Sequence, residues 1–259
     1  MSAKDLRIVT DGWPYEPGQV SVRRVRGADN RVKIQMRVDL GVLQMEVKGR
    51  PDGARPHGYE SLLQYQRERI DAYRRRNGND LGFALDPAEC RDMRDEALQY
   101  YQRYLANFVL EDYEAVAEDT RRNLEVLDLC GTYAGEDDDR FALEPYRPYI
   151  LMMNSQSLAL AAINRNDYPD AFEHVRQGVR AIRATYERHG HPDAWRRSGE
   201  VQVLRALHRE IRRHLPADRV RSLKQLLRRA VRHERYEEAA RIRDQIDALQ
   251  HQRRGSAGG

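Results

Sequence analysis

The sequence predicts an α+β fold that is mainly α, with a small N-terminal antiparallel sheet of three strands, then stacked helical hairpins, then one C-terminal helical hairpin. Three observations carry this. Between residues 33 and 48 apolar and polar side chains alternate with a period of two. From residue 59 onward apolar residues return every three or four positions, the signature of helices with one covered face. Behind Pro216 two short amphipathic segments, together residues 222–249, share a seam rich in alanine. The organisation that follows is residues 1–80 for the sheet and a covering helix, 86–216 for the helical stack, 219–252 for the terminal hairpin and 253–259 for a flexible tail.

Residues 1–19, with Trp13, Pro14, Tyr15 and Pro17, read as an irregular lead-in holding a short strand at 7–10. Residues 19–26 contribute Val20 and Val22 to a first sheet strand, joined through Gly27, Ala28, Asp29 and Asn30 to the second; Val25 is out of phase, which suggests a bulge. A two-residue turn at Leu40 and Gly41 would then set Val38 against Leu43, Met36 against Met45 and Ile34 against Val47, all on one face. That face needs a cover, and the helix expected over residues 59–76 is the nearest candidate. The connector 49–58 holds Pro51, Gly53, Pro56 and Gly58 and reads as a loop.

Asp86 followed by Pro87 is an N-cap with proline at the first helical position. The helix after it carries Met93, Ala97, Tyr100, Tyr101, Tyr104, Leu105 and Phe108, breaks at Glu111 and Asp112, and is followed by a second with Tyr113, Val116, Leu124 and Leu127. An acidic loop at 136–139 leads to another pair, Tyr149 to Ile163 and Tyr168 to Ile182, broken at Asn166 and Asp167. Residues 194–215 read as one more helix, with Pro216, Ala217 and Asp218 as a hinge. In the last hairpin the first helix presents Leu223, Leu226, Leu227, Ala230 and Val231. The second presents Tyr236, Ala239, Ala240, Ile242, Ile246 and Leu249. Ser222 and Gln225 suit a capping box, and residues 232–235 the turn.

Composition narrows the classes of function. With 40% hydrophobic and 33% charged residues the chain has enough apolar surface to fold. No run of 18 apolar residues occurs and residues 1–10 lack the apolar core of a signal peptide, so a cytoplasmic protein without membrane contact is expected. Cys90 and Cys130 stand singly inside helical patterns and read as buried small residues. The net charge of +4 is uneven: residues 201–254 hold 15 Lys and Arg against 7 Asp and Glu, +8, leaving −4 for the rest. Basicity belongs to the last helices.

Leu-Lys-x-x-Leu from Leu223, followed by Tyr-Glu-x-Ala-Ala-x-Ile-Arg-Asp-x-Ile from Tyr236 to Ile246, resembles the UVR motif, which closes the excision-repair subunits UvrB and UvrC and recurs in the McsA adaptor and the ClpC chaperone. The resemblance covers about a tenth of the chain. It implies a protein-interaction hairpin that pairs with another such hairpin, in a partner or in a second copy as a homodimer, through Leu226, Leu227, Tyr236, Ala239, Ala240, Ile242, Arg243 and Ile246. Burial argues the same way, since a segment this short falls below the roughly 40 residues at which an isolated chain covers its own apolar surface.

The two central hairpins resemble tetratricopeptide repeats. Asp112-Tyr113-Glu114-Ala115-Val116 matches Asp167-Tyr168-Pro169-Asp170-Ala171, and the pattern returns at Tyr236-Glu237-Glu238-Ala239, but Tyr113 and Tyr168 lie 55 residues apart where a regular repeat has 34. Such stacks bind peptides on their inner helices, where Tyr101, Tyr104, Asn107, Arg147, Met152 and Asn154 are candidate groove residues.

The sequence has no G-x-x-x-x-G-K phosphate loop, no GIY-YIG nuclease pattern and no paired C-x-x-C. Consecutive carboxylates at 137–139 diverge in a loop, and His189-Gly190-His191 reads as a helix stop before a metal pair. No catalytic, metal or cofactor residues are expected. The expectation is a non-enzymatic adaptor; an excision-repair accessory that touches DNA through basic C-terminal helices is the alternative.

Overall fold

The computed structural model describes residues 5–232 and 235–255. Ten α-helices and a three-stranded sheet occupy them: α1 (Arg7–Thr10), β1 (Val22–Arg26), β2 (Val32–Val38), β3 (Gly41–Glu46), α2 (Leu62–Asn77), α3 (Pro87–Val109), α4 (Tyr113–Tyr133), α5 (Asp137–Phe141), α6 (Arg147–Asn164), α7 (Tyr168–Arg188), α8 (Gly199–His214), α9 (Pro216–Arg232) and α10 (Tyr236–Gly255). The mainly helical α+β class is as the periodicities predict.

The sheet is antiparallel in the order β1-β2-β3. Its hairpin turn falls one residue earlier than expected. Val38 lies opposite Gly41, Met36 opposite Leu43 and Ile34 opposite Met45, with Leu40 at the tip. The pairing is therefore shifted by two positions, and since side chains alternate with period two, the same residues stay on the same face. Arg37 holds this turn, donating from Nη1 to the carbonyls of Gly41 at 2.8 Å and Asp39 at 3.2 Å. The expected bulge is absent: Val25 pairs with Lys33 in unbroken register, and Asn30, at φ 62°, takes up the turn instead.

The second sheet face is polar and covered by the N-terminal segment. Arg23 Nε donates to Gln35 Oε1 at 2.9 Å, and Gln35 Nε2 to Gln44 Oε1 at 2.9 Å, a ladder across all three strands. Trp13 lies over the Arg23 guanidinium at 4.0 Å. Residues 7–10, expected as a strand, form the short helix α1.

The apolar sheet face meets α3, and not α2 as expected. Ile34, Met36 and Met45 pack with Ala106, with Leu110 alongside. α2 turns Leu62, Leu63 and Ile70 against Cys90, Met93 and Ala97 of α3 and Val126, Leu129 and Cys130 of α4. The sheet and α2, grouped above as residues 1–80, thus each dock on a different part of α3. Polar groups set this arrangement. The buried Glu96 carboxylate accepts from the first backbone amides of α2, Leu62 N at 2.8 Å and Leu63 N at 3.4 Å, placing a negative charge on a helix N-terminus. Arg103, 4% exposed, grips Asp119 with two hydrogen bonds of 2.9 and 2.6 Å and donates to the carbonyls of Glu46 and Gly49, tying the end of β3 to the α3–α4 pair.

From α3 to α8 successive helices pack on one another around the largest core, which includes Tyr104, Val116, Met153, Ala159, Ala171, Val175, Ile182, Val201 and Leu204. Gly178 marks the closest approach: a Cβ there would sit 2.5 Å from the Ser155 Cβ and 3.1 Å from Leu204 Cδ1. The helix expected over 194–215 is divided. A 3₁₀ turn at Ala194–Arg197 precedes α8, which Ser198 caps by accepting from Val201 N at 3.3 Å. Part of the acidic loop is the short helix α5, whose Asp139 pairs with Arg94 at 2.5 Å.

The turns between paired helices are alike. In the first, Glu111 has φ 57° and Asp112 N donates to Asn107 O at 2.9 Å; in the second, Asn166 has φ 60° and Asp167 N donates to Ala162 O at 2.9 Å. Each aspartate then caps the next helix, accepting from Ala115 N and Asp170 N. The Asp-Tyr pattern thus corresponds to a reversed-chain cap in which the residue before the tyrosine reaches five positions back.

Candidate interaction site

α9 and α10 form the terminal hairpin. Leu215, extended at φ −70° and ψ 131°, separates α8 from α9, so Pro216 opens a helix rather than a hinge loop. Ser222 and Gln225, expected as a capping box, lie in the interior of α9, which starts six residues earlier; the turn residues 233 and 234 lie outside the described residues. Arg235 N donates to Ala230 O at 2.9 Å, the same five-residue reach as in the two central turns, and Ala239 N donates to Arg235 O. α10 runs to Gly255, so residues 253–255, expected in a flexible tail, are helical; 256–259 lie outside the described residues.

The seam of the hairpin is its own core. Ala230 from α9 and Ala239, Ile242 and Ile246 from α10 are buried together, with Leu223 and Leu227 half-buried beside them. Two small residues bring the helices close, and the two isoleucines fill the remainder. Burying each isoleucine contributes about 1.5–3 kcal/mol.

The residues expected to meet a partner therefore divide. Ala239, Ile242 and Ile246 face inward and Leu227 is half-buried, whereas Leu226 at 47% and Tyr236 at 67% are exposed, as are Ala240 and Arg243. Tyr236, Ala240 and Arg243 stand at i, i+4 and i+7, one flank of α10. Val231, assigned above to the covered face, is 51% exposed. The side chain of Leu249 is outside the described residues. The contact Arg235 Nη1 to Glu238 Oε2, 3.5 Å between exposed groups, adds little.

Residues 217–252 match the UvrB/uvrC motif. The UVR motif is known from DNA-repair proteins and from protein interaction. The match spans this hairpin alone and does not reach the central helices, for which the expected tetratricopeptide likeness finds no family match. No curated protein and no solved structure matches the chain.

Arg228, Arg229 and Arg232 of the UVR hairpin are exposed. None is within an ion pair of a carboxylate among the described residues.

The six groove candidates do not gather along an open surface. Tyr104 is 1% exposed and Asn107 1%, both inside the core, and burial pushes the Tyr104 phenol far above its ordinary range. Tyr101 stands edge-on to Tyr104 at 5.3 Å. Arg147 is held by Glu144 at 2.8 and 2.6 Å and by Asp128 at 2.8 Å. Asn154 donates to Ala117 O and Thr120 Oγ1, both at 3.0 Å, stitching α6 to α4. Met152 is 7% exposed. Polar residues interleaved with an apolar pattern are used here between helices, an outcome periodicity does not separate from a groove.

His189 Nδ1 lies 2.8 Å from Thr185 O and Nε2 3.8 Å from Glu144, a helix end as the sequence suggests. Among the described residues no three His, Cys, Asp or Glu side chains converge as metal ligands. Cys90 and Cys130 are free and buried, and burial lifts the Cys130 thiol to about 12. Among the described residues no helix is long and apolar enough to cross a membrane.

Proposed function

We propose that this protein is a non-enzymatic, cytoplasmic adaptor that pairs through its UVR hairpin, with the helical stack offering a surface to a second partner. One observation carries the reading. After Ala239, Ile242 and Ile246 have closed the inner seam, Leu226, Val231, Tyr236 and Ala240 still stand in solvent on a hairpin of two helices. A second UVR hairpin, from another protein or another copy of this chain, would cover them in a four-helix arrangement. The family match supports a protein-binding role for the segment.

The test separates the two sets of residues. Tyr236→Glu or Ala240→Glu charges the flank and leaves the inner seam intact, so association, read as mass by light scattering or as retention in a pull-down, is lost while helicity is kept. Ile246→Asp removes both. Unchanged mass and retention in the flank variants would count against the adaptor.

A second reading draws on Arg228, Arg229 and Arg232. Exposed guanidiniums on one helix that no carboxylate among the described residues neutralises suit a DNA backbone. This excision-repair accessory would bind duplex DNA with an affinity that falls steeply with salt and drops when the three are changed to alanine; no duplex binding at low salt removes it.

A further inference from the structure

The outer face of α2 carries a hollow that neither the UVR hairpin nor the helical stack accounts for. α2 has five arginines, Arg67, Arg69, Arg74, Arg75 and Arg76, against two carboxylates, Glu68 and Asp71. Tyr59, Arg69, Tyr73, Arg75, Arg76 and Phe83 surround a cavity of about 340 Å³, with Glu68 as the one carboxylate on its wall.

Its rings are held in place before any ligand arrives. Phe83 meets Tyr73 edge-on at 5.7 Å and Tyr133 edge-on at 5.5 Å, and the Arg69 guanidinium stands 5.5 Å from its centroid. Tyr73 donates its hydroxyl hydrogen to Leu81 O at 3.1 Å. Tyr59 is brought in by a strained turn, in which His57 takes φ 52° and stacks on Tyr65 at 4.1 Å. Stacking on Tyr65 offsets the cost of the left-handed backbone at His57. Tyr59, Tyr73 and Phe83 are each half-buried and so present part of their surface to the hollow.

Charge is distributed unevenly among the guanidiniums. Arg67 pairs with Glu125 at 2.8 Å, Arg74 with Asp80 at 2.6 Å and Arg69 with Glu89. Arg76 donates only to the Ala72 carbonyl at 3.3 Å, and Arg75 pairs with no carboxylate among the described residues. Two exposed guanidiniums with open forks thus stand beside fixed aromatic rings. A carboxylate-rich peptide would use the charge and leave the rings idle. A group with a flat ring and a phosphate uses both, because guanidinium forks match phosphate oxygens and base faces stack on aromatic side chains. The volume lies at the small end for ligand sites and suits one such unit.

We propose that this hollow binds a nucleotide unit, its base against Tyr59, Tyr73 and Phe83 and its phosphate on Arg75 and Arg76. A free nucleotide and the 5′ end of a single strand share this chemistry. The full-length protein is titrated at low salt with adenosine monophosphate, with a short 5′-phosphorylated oligothymidylate, with inorganic phosphate and with polyglutamate, by calorimetry. Binding of the mononucleotide assigns the site to free nucleotide, and binding of the oligonucleotide alone assigns it to a strand end. In either case Arg75→Ala with Arg76→Ala weakens binding about tenfold or more, and Tyr59→Ala weakens it with little change in salt dependence. Inorganic phosphate or polyglutamate binding as tightly as the nucleotide would overturn the role of the rings. No binding of either nucleotide ligand, or binding indifferent to the double arginine variant, would overturn the site, the latter by placing the contact elsewhere, as on the basic face of the UVR hairpin.

Discussion

The α6–α7 hairpin and the α9–α10 hairpin turn in the same way and end in opposite circumstances. In both, the residue before a tyrosine donates its amide to a carbonyl five positions back, Asp167 to Ala162 and Arg235 to Ala230, at 2.9 Å each. In both, the tyrosine opens the second helix and an alanine three positions on, Ala171 or Ala239, is buried at the seam. Tyr168, however, lies flat against His214 of α8 at 4.7 Å with planes 8° apart, while Tyr236 is 67% exposed. The central hairpin is covered by α4 on one side and α8 on the other; the terminal hairpin closes on Ala230, Ala239, Ile242 and Ile246. A turn is a local solution that a handful of residues can repeat. What lies outside the turn decides whether its aromatic residue becomes core or remains available to another molecule.

That contrast can be broken most forcefully at the ion pairs. Asp119→Ala leaves Arg103 buried without its counter-charge and is expected to cost about 3–5 kcal/mol, seen as a large fall in denaturant midpoint. The exposed counterpart in the UVR hairpin, Glu238→Ala, is expected to cost less than about 0.5 kcal/mol. Next comes packing. Gly178→Ala forces a methyl group into Ser155 and Leu204 and is expected to destabilise by about 1–3 kcal/mol, whereas Ala240→Glu, on an exposed flank, changes the melting temperature little and acts on association instead. Third, the two tyrosines should part company: Tyr168→Ala loses its stack on His214 and partial burial, about 1–2 kcal/mol, and Tyr236→Ala stays within about 0.5 kcal/mol. Comparable losses at both tyrosines would mean that the terminal hairpin is covered within its own chain. The last change is a gain. Glu111 holds φ 57° at the α3–α4 turn, and Glu111→Gly is expected to raise stability by about 0.5–1 kcal/mol, measured as a higher denaturant midpoint.

Legibility in the sequence followed the range of the interaction. The three strands, the helix pairs and the UVR hairpin all appear where period and pattern put them, because each depends on neighbours a few residues away. The short element at residues 7–10 went astray, since it serves to bring Trp13 onto Arg23 and Ser21, partners that a propensity does not contain. So did the groove: Tyr104, Asn107 and Arg147 look adaptable in one dimension and are enclosed in three. At the proposed partner site, pattern identified the residues and structure divided them, since a residue's angle around the helix relative to the facing helix separates Ala239 from Ala240. Nothing in the sequence pattern grouped Tyr59, Tyr73, Phe83, Arg75 and Arg76; that hollow exists only because the loop through His57 and the segment carrying Phe83 fold back over α2.

By itself the sequence determined where chains turn, which faces are apolar, and that the last hairpin bears the UVR pattern, since each of these is written in local spacing and backbone chemistry. Only the tertiary structure decided that α3 rather than α2 covers the sheet, that the sheet pairs two positions away from the expected register, and that the flank of α10 remains open. Those outcomes depend on which of several equally apolar surfaces fit together, and buried charges such as Glu96 and Arg103 settle that choice only when residues far apart in the chain meet.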